Sequence, residues 1–357
     1  MSPLGIGLIG CGFIGRFHSM AIRSLIRRGL VDAAYVAVCD VDLERAQSFS
    51  EAADVRLVTP NWREVVDSPD ISVVYVCVPT AGHKEIVLRA AEHGKHIFCE
   101  KPLATTLVDV EEMVAAVNGA RVKAGVGLIL RHSPILTVLK SLTDDPALGR
   151  LMTIVFRDDQ FFPIHGHYQS EWRKDRNLVG SGTLLEHSIH DVDILRWLAG
   201  DVRSVRGDVR NFAGYEGVED LAIAHLEFVS GAQAQLVSVW HGVVGRPSSR
   251  RIELFFENGF FHVETDFSGP ISYQKRDETL MVLTDEQVRE RYLESIGVSE
   301  ETFGDVLRFS LEDYFFLASV AARRDAFPDF KVALEAHRIV DAIYRSASAH
   351  GSEVSLR

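Results

Sequence analysis

The stretch LGIGLIGCGFIG, residues 4–15, decides how the first part of the chain folds. Its apolar run is typical of a β-strand, its glycines break that run, and a helical pattern follows over residues 13–28. The glycines have the spacing G-x-G-x-x-G between a predicted strand and a predicted helix, which is the context that a dinucleotide-binding turn requires. We therefore predict that this turn binds the phosphates of a nucleotide.

Each glycine of the turn has a separate physical task. Gly10 permits a tight bend, Gly12 lets a pyrophosphate approach the backbone, and Gly15 lets the helix pack close to the strand. The phosphates would lie at the helix N-terminus, where free N–H groups and the helix dipole favour an anion. The residues predicted to line the nucleotide here are Gly10, Cys11, Gly12, Phe13, Ile14 and Gly15.

Strand and helix patterns then alternate. The further predicted strands are residues 35–40, 56–59, 71–78, 95–99 and 122–130, and the predicted helices between them are residues 61–66, 83–93 and 106–118. Uninterrupted apolar runs such as ISVVYVCV, residues 71–78, are typical of parallel strands covered on both faces. The pattern predicts an α/β, doubly wound (Rossmann) sheet over residues 1–127, with a ligand cleft at the carboxyl ends of its strands.

Polar residues at the strand ends are the other candidate cofactor ligands. Asp40 ends the second predicted strand, where its carboxylate could bind the ribose hydroxyls and would repel a 2′-phosphate, which favours NAD over NADP. A loop or helix-cap role for Asp40 is the alternative, and Asp42 could replace it. At the same edge we expect Val78, Pro79, Thr80, His83, Glu100 and Lys101.

Lys101 is followed by Pro102, and a Lys-Pro bond allows a cis peptide that could aim the lysine into the cleft. The alternative is a solvated lysine on a surface turn, since most lysines are exposed.

A second informative stretch is GSGTLLEHSIHDVDILRWLAG, residues 180–200. We predict one long amphipathic helix after the glycines, which would place Glu186, His190, Asp193 and Trp197 on one stripe. A histidine between two carboxylates suits a general base, because a carboxylate can fix the ring and its tautomer. An exposed helix with an ion pair is the alternative.

Composition excludes several classes of function. The chain has 357 residues, 46% of them hydrophobic, and a formal net charge of −12, which argues against nucleic acid or an anionic membrane as the main partner. The sequence contains neither a transmembrane pattern nor a signal peptide. Its four cysteines form no C-x-x-C pair, so buried free thiols in the cytoplasm are expected rather than a metal site or disulfides.

Motifs in a fixed order complete the pattern: G-x-G-x-x-G-x-x-H at residues 10–18, VCVPT-x-x-H at 76–83, GKHIFCEKPLA at 94–104, WRKD at 172–175 and GSGTLLEHSIHDVDILRWL at 180–198. Over nearly the whole chain, through a final helix at about residues 328–346, the sequence resembles the glucose-fructose oxidoreductase / inositol 2-dehydrogenase / rhizopine-catabolism (Gfo/Idh/MocA) family. Residues 278–309 resemble an insertion peculiar to this chain.

The resemblance implies a second, α+β domain over residues 128–357, built on a large, mostly antiparallel open sheet. The chain supports this with strand-like segments at 151–160, 202–209, 221–228, 232–240, 251–256 and 260–264 and a hairpin turn at Asn258-Gly259. One face of that sheet would lack helices, so a homodimer or homotetramer through this sheet is expected. The final helix is expected to pack back near the first domain.

The resemblance also implies a reaction. In family members the lysine and the histidine that match Lys101 and His190 flank the substrate carbon over the nicotinamide, and an aspartate one turn before the histidine completes the site. This chain has Glu186 at that position, which keeps the charge and adds a methylene. The expected activity is hydride transfer between NAD and a secondary hydroxyl of a sugar, cyclitol or related polyol. The predicted substrate-binding residues are Lys101, Arg131, His165, Trp172 and His190.

Three other functions remain open from the sequence. A family-type glycosidase could oxidise and re-reduce its sugar with the same Lys101 and His190. A non-catalytic NAD-binding regulator would not need that pair. A metal-dependent hydrolase could use imidazole and carboxylate ligands, and its candidates are His165, His167, Glu186, His187 and His190.

Overall fold

The computed structural model describes residues 3–51, 55–303 and 311–356. The chain forms two units, the first made of Met1–Leu128 and Phe303–Leu334 and the second of Ile129–Thr302 and Glu335–Arg357. The predicted second domain, residues 128–357, includes Phe303 and residues 311–334, which the structure groups with the first unit.

The first unit contains a six-stranded parallel sheet with the strand order β3-β2-β1-β4-β5-β6. The strands are β1 (Leu4–Ile9), β2 (Ala33–Cys39), β3 (Leu57–Thr59), β4 (Val73–Val76), β5 (His96–Cys99) and β6 (Ala124–Val126). The helices are α1 (Phe13–Arg27), α2 (Leu43–Glu51), α3 (Trp62–Asp67), α4 (His83–Glu92), α5 (Leu107–Ala120) and, much later in the chain, α12 (Leu311–Ala321). The order reverses between β1 and β4, as in a doubly wound nucleotide-binding sheet.

Apolar side chains cover both faces of this sheet. Val74 and Val76 of β4 pack with α3, α4 and α5 on one face, while Val73 and Tyr75 pack with α1, α2 and α12 on the other. Alternate residues of a strand point to opposite faces, so an unbroken apolar run fills both layers. The predicted doubly wound α/β fold is confirmed.

The second unit contains a nine-stranded sheet with the order β14-β13-β12-β11-β7-β10-β9-β8-β15. Its strands are β7 (Leu151–Phe161), β8 (Val202–Arg210), β9 (Leu221–Phe228), β10 (Gln233–His241), β11 (Ser249–Phe256), β12 (Gly259–Val263), β13 (Ile271–Lys275), β14 (Met281–Leu283) and β15 (Val354–Ser355). Among the described strands of this sheet, β7 and β10 alone pair in parallel, so the predicted mostly antiparallel sheet is confirmed.

Further helices belong to or border the second unit. They are α6 (Pro134–Thr143), α7 (Arg176–Val179), α8 (Thr183–Glu186), α9 (Ile189–Ala199), α10 (Asp285–Ile296), α11 (Glu300–Phe303) and α13 (Phe330–Ser348). Helix α13 begins in the first unit, where Phe330 and Ala333 join the apolar core, and continues in the second. No helix of the described residues is long and apolar enough to cross a membrane.

Four local predictions need correction. The sixth strand is only Ala124–Val126, because Ile129 and Leu130 of the predicted run 122–130 lie in a buried 3₁₀ turn. The β11–β12 hairpin turns at Glu257-Asn258, one residue earlier than predicted, since Phe256 pairs with Gly259. The suggested insertion at 278–309 contains β14, α10 and α11, and its residues 304–309 lie outside the described residues.

The fourth correction concerns residues 180–200. They form two helices, α8 and α9, separated by His187 and Ser188. Glu186 therefore ends one helix, and His190 lies in the first turn of the next. The prediction that four functional side chains lie on one stripe of a single helix is wrong, although His190, Asp193 and Trp197 all lie in α9.

Candidate active site

The β1–α1 turn meets the three requirements of a dinucleotide-binding turn. Gly10 has φ +102°, and a Cβ there would lie 2.5 Å from the carbonyl of Cys77. A Cβ on Gly15 would lie 2.0 Å from the carbonyl oxygen of Gly10, so only glycine permits this close packing of helix and turn. Larger residues would collide with backbone at both positions.

Gly12 differs, because a Cβ there would meet nothing within 4 Å. The protein itself therefore does not require glycine at this position, whereas a ligand lying against the backbone would. No side chain caps the N-terminus of α1 at Gly12, which leaves the first turn of the helix open to an anion. The turn fits the pyrophosphate of a dinucleotide on both counts.

Asp40 follows β2 and links it to the glycine turn. Its Oδ2 accepts a hydrogen bond from the Cys11 backbone N–H at 2.7 Å, and its Oδ1 accepts one from the Asp42 N–H at 2.9 Å. Arg45 lies 3.4 Å from the same Oδ1 with a half-exposed side chain. Asp40 thus has a structural task that the sequence did not show, and its contact with ribose stays a prediction.

The loop after β4 is tied to the loop after β5 by one buried histidine. The ring of His83 lies 2.8 Å from the Val78 carbonyl oxygen through Nε2 and 2.9 Å from that of Pro102 through Nδ1. Thr80, also buried, begins the 3₁₀ turn that precedes His83. These contacts explain a histidine at this position without a cofactor, so its predicted contact with NAD remains untested.

The Lys101–Pro102 peptide is cis, as the sequence analysis had allowed. Glu100 before it is 7% exposed, and its Oε2 accepts a hydrogen bond from the Lys101 backbone N–H at 3.1 Å. Gly127 supports this arrangement, because a Cβ there would lie 2.3 Å from Glu100 Oε1. The carboxylate therefore fits beside Gly127 and contacts the backbone of the turn that carries Lys101.

His18 of α1 lies between two buried carboxylates. Its Nε2 is 3.0 Å from Glu100 Oε1 and its Nδ1 is 2.8 Å from Asp313 Oδ1 of α12. Glu312 is also buried in this group. We call these four residues the histidine cluster.

Protonation in the histidine cluster follows from its charges. Burial alone would lower the pKa of His18, but Asp313 and Glu100 raise it well above its usual value. Burial raises the pKa of Glu312 well above that of an ordinary glutamate, while hydrogen bonding to His18 helps to hold that of Glu100 low against its burial. The cluster therefore favours a charged His18, an ionised Glu100 and a protonated Glu312.

In the second unit, Glu219 shapes the bend before α8. Its carboxylate accepts hydrogen bonds from the N–H groups of Gly182 at 2.7 Å and Leu184 at 3.0 Å and from the Tyr344 hydroxyl at 2.8 Å. A Cβ on Gly182 would lie 1.8 Å from the Glu219 carbonyl oxygen. This acidic cap fixes the start of α8, and sequence reasoning missed it because Glu219 lies far from α8 in the chain.

Glu186, at the end of α8, is 2% exposed and forms an ion pair with Arg173 over 3.5 Å. Arg173 stacks over the ring of Trp172, with its Cζ 4.5 Å from the ring centroid. Arg173 of the WRKD motif therefore supplies the cation that pairs with Glu186. Whether Glu186 also orients His190, and whether Trp172 contacts substrate, stay predictions.

His190 is 7% exposed in the first turn of α9. Its neighbour Asp193 is committed elsewhere, because both carboxylate oxygens accept hydrogen bonds from Arg131, at 2.6 and 2.8 Å. Arg131 also stacks over Trp197 at 4.8 Å. This buried bidentate pair gives Arg131 a structural role. Because Asp193 is already paired, Glu186 is the better candidate for the carboxylate that fixes the tautomer of His190.

His165 lies in the loop after β7 with an exposed side chain. Its backbone N–H donates to the Phe162 carbonyl in a turn, while the ring is left accessible. Its contact with substrate remains a prediction.

A second buried group, which we call the arginine cluster, lies under α9. Arg250 of β11 contacts Asp191 at 2.7 Å and Asp158 at 3.4 Å, and it also pairs with Asp266. His187 lies 2.8 Å from Asp158 through Nε2. Burial, followed by repulsion from Asp158, raises the pKa of Asp191 to about 7.

The metal-dependent alternative finds no support in the geometry. Within residues 3–51, 55–303 and 311–356, histidine and carboxylate atoms converge to metal-ligand distances only at His18, Glu100 and Glu312, all within 4.8 Å of one another. The ring nitrogens of His18 are already engaged by carboxylates. The residues proposed for the hydrolase do not form such a group.

Comparison with known proteins gives matches over both units. The family described as "Oxidoreductase family, NAD-binding Rossmann fold" matches residues 4–128, and the "GFO/IDH/MocA C-terminal domain" matches residues 136–262. Levoglucosan dehydrogenase of Pseudarthrobacter phenanthrenivorans is 26% identical and the alignment covers 98% of this chain and 97% of the relative. Myo-inositol 2-dehydrogenase of Thermotoga maritima is 30% identical over 79% of this chain and 78% of the relative.

Solved structures show the same fold. An oxidoreductase domain protein from Kribbella flavida has a TM-score of 0.87 at 25% identity, and levoglucosan dehydrogenase in complex with NADH and L-sorbose has a TM-score of 0.87 at 24% identity. Each comparison covers 100% of both chains. Together with the two family matches, these findings show that the chain belongs to the Gfo/Idh/MocA family of NAD-dependent oxidoreductases, whose named relatives are dehydrogenases and reductases of sugars and inositols.

Proposed function

We propose that this enzyme transfers a hydride between NAD and a secondary hydroxyl of a sugar, cyclitol or anhydrosugar. The observation that carries the proposal is the open backbone at Gly12 in an otherwise tightly constrained glycine turn. The glycine turn, Asp40 and Lys101 follow β1, β2 and β5 of one parallel sheet. Ligands of such sheets bind at that edge, next to the point where the strand order reverses.

The proposed cofactor contacts follow from this edge. The pyrophosphate lies on the N–H groups at the start of α1, and Asp40 accepts from the adenosine ribose hydroxyls. Asp40 Oδ2 accepts the backbone hydrogen bond from Cys11 and has a second lone pair, so binding the ribose need not break the contact with Cys11. A 2′-phosphate would face this carboxylate, which supports NAD over NADP. The other proposed contacts are Phe13, Ile14, Val78, Pro79, Thr80, His83 and Glu100.

In the proposed chemistry, NAD when bound accepts the hydride. His190 takes the hydroxyl proton as a general base. The Lys101 ammonium donates to the same oxygen and stabilises the negative charge that develops there. Glu186 keeps His190 oriented and is itself fixed by Arg173.

The proposed substrate contacts are Lys101, His190, His165, Trp172 and Arg131. Of these, His165 has the most accessible side chain. Arg131 is the most constrained, because its guanidinium serves Asp193. Levoglucosan and myo-inositol are the first substrates to test, since relatives that act on them align with most of this chain.

The test is turnover of Lys101→Met and His190→Asn with NAD and a panel of levoglucosan, inositols and aldoses. We expect each variant to lose about 10²- to 10⁴-fold in kcat, the range that a positioned acid or base contributes. NADH binding, followed by fluorescence, should persist because neither side chain forms the glycine turn. NADH accumulation would also distinguish a dehydrogenase from a glycosidase that recycles its cofactor and from a regulator without turnover.

Matched controls are Lys84→Met and His93→Asn. Lys84 pairs with Asp109 at 2.5 Å, and His93 lies at the exposed end of α4. Both controls should keep wild-type turnover. The proposed roles are wrong if Lys101→Met or His190→Asn does so as well.

The outer face of the nine-stranded sheet supports a proposal about assembly. Val155, Ile223 and Phe255 point to this face with exposures of 41%, 44% and 38%, while Ile154, Ala224 and Leu254 next to them are buried on the other face. This face also carries polar side chains such as Arg157, Gln235 and Glu253, but exposed apolar side chains grouped on one sheet face are typical of a subunit interface. We therefore propose a homodimer or homotetramer through this sheet.

The cysteines support a cytoplasmic location, which is likewise a proposal. Cys11, Cys39, Cys77 and Cys99 are all buried free thiols. Free thiols of this kind are common in reducing compartments.

A further inference from the structure

The histidine cluster is not accounted for by the proposed reaction. It buries one imidazole and three carboxyl groups in the interior of the first unit, and such a group is costly unless its members are paired. The cluster joins three distant parts of the chain, namely α1, the turn after β5 and α12. One of those parts is the turn that carries Lys101.

The contacts form a continuous chain that ends at Lys101. Asp313 contacts Nδ1 of His18, Nε2 of His18 contacts Glu100 Oε1, and Glu100 Oε2 accepts from the Lys101 backbone N–H. The step from Glu100 to Lys101 fixes the backbone rather than the ammonium group. Gly127, after β6, leaves the space that the Glu100 carboxylate occupies, since a Cβ there would lie 2.3 Å from Glu100 Oε1.

Only a doubly protonated imidazole can donate to carboxylates at both of its nitrogens. A neutral ring has one N–H, so it would leave one of the two carboxyl groups facing a lone pair unless that group were itself protonated. Burial raises the pKa of Asp313, and the charge of His18 opposes that rise. Other titratable groups near the ring are Glu312, next to Asp313, and Lys101, next to Glu100. Tyr75 of β4 and Cys77, which follows β4, are titratable as well. Burial raises the pKa of Tyr75 and of Cys77, which keeps both neutral.

We propose that His18, as an imidazolium held by Asp313, is a positioning residue that fixes Glu100 and through it the turn that presents Lys101. Loss of its charge releases Glu100 from one side and lets the Lys101 turn shift. The inference rests on the proposed role of Lys101 and deepens it, since it assigns the support of that residue to groups that do not touch substrate.

The first experiment measures the protonation of His18 directly. In protein with ¹⁵N-labelled histidine, the two ring nitrogens report the charge of each imidazole across a pH titration. His18 should remain doubly protonated through neutral pH in the wild type and lose its proton at lower pH in Asp313→Asn. A His18 that is neutral at pH 7 in the wild type would overturn the proposal without any assay of activity.

The second experiment measures kcat of His18→Gln and Asp313→Asn with NAD and levoglucosan or myo-inositol. His18→Gln should lower kcat about 10- to 100-fold at every pH, as loss of a group that orients a reacting side chain does, with KM for NAD unchanged. Asp313→Asn should resemble wild type near pH 6, where His18 is still charged, and resemble His18→Gln near pH 9. A purely structural role would instead lower its activity equally at both.

His96→Gln is the matched control. His96 starts β5, the strand that ends just before Glu100, and its Nδ1 accepts a hydrogen bond from the Lys123 backbone N–H at 3.0 Å. It should keep wild-type kcat. Wild-type kcat in His18→Gln, together with an inactive Lys101→Met, would overturn this inference alone, whereas an active Lys101→Met would overturn the proposed function.

Discussion

The histidine cluster and the arginine cluster both pair buried carboxyl groups with a cation, but the two cations are of different types. Each buries one cation among carboxyl groups, the first unit using His18 and the second using Arg250. A guanidinium stays charged at every accessible pH, whereas an imidazolium can lose its proton. In the arginine cluster the cation keeps its charge while the carboxyl groups titrate, with the pKa of Asp191 raised by burial to about 7. In the histidine cluster the cation itself can also titrate.

This difference sets different pH windows for the two units, although both contributions are lost as pH rises. The raised pKa of His18 contributes stability that is present below its ordinary value of 6.5 and is lost as pH rises through the folded value. The raised pKa of Asp191 contributes stability that is present below 3.8 and is lost as pH rises to about 7. The second unit should therefore weaken at lower pH than the first.

The largest effect is expected from removing the permanent cation. Arg250→Met leaves Asp158 and Asp191 buried without their partner, and breaking a buried ion pair in this way costs about 3–5 kcal/mol. Urea unfolding followed by circular dichroism measures the loss. Arg251→Met is the matched control on the same strand, since Arg251 is 42% exposed and pairs with Glu253. If the two variants lose equal stability, the buried cluster is not what stabilises the second unit.

A smaller and pH-dependent effect is expected from Asp191→Asn. In the wild type, Arg250 Nε donates to Asp191 Oδ1 at 2.7 Å. The asparagine amide keeps an oxygen that can accept this hydrogen bond but has no carboxyl group to titrate. The wild type should lose stability between about pH 4 and pH 7, and the variant should lose less over that window. Urea midpoints at several pH values test this, with exposed Asp201→Asn as the control. Parallel pH profiles for wild type and variant would show that Asp191 does not titrate there.

The two regions also differ in how much their sequence predicts. The glycine turn, Asp40 and the Lys101 turn were found because each is a local signal: a fixed spacing next to a strand, or a polar residue at a strand end. The conformations that these signals require, such as φ +102° at Gly10, depend mainly on residues that are close in sequence. Local patterns therefore predicted the first unit well, apart from the late segment that supplies α12.

The second unit depends on partners that lie far apart in sequence. The start of α8 is held by Glu219, whose carboxylate binds Gly182 across 37 positions, and Ser188 at the α8–α9 break binds Ser238 across 50 positions. Asp193 is paired with Arg131 across 62 positions. Helical spacing alone predicted one continuous helix, because nothing near residue 187 signals the bend. His18 lay in a recognised motif, but its role requires Asp313, 295 positions away.

The smallest effect is expected at the outer end of the arginine cluster. Asp266 pairs with Arg250 but has a side chain that is 39% exposed, so water screens the interaction. Asp266→Asn should change the free energy of unfolding by about 0–1 kcal/mol, as for most exposed ion pairs. The guanidinium keeps Asp158 and Asp191, both fully buried, and these contacts carry the energy. If Asp266→Asn loses as much stability as Arg250→Met, the strength of the Arg250 contacts does not follow the burial of their carboxyl groups. The contrast between the two clusters would then depend only on which cation each one contains.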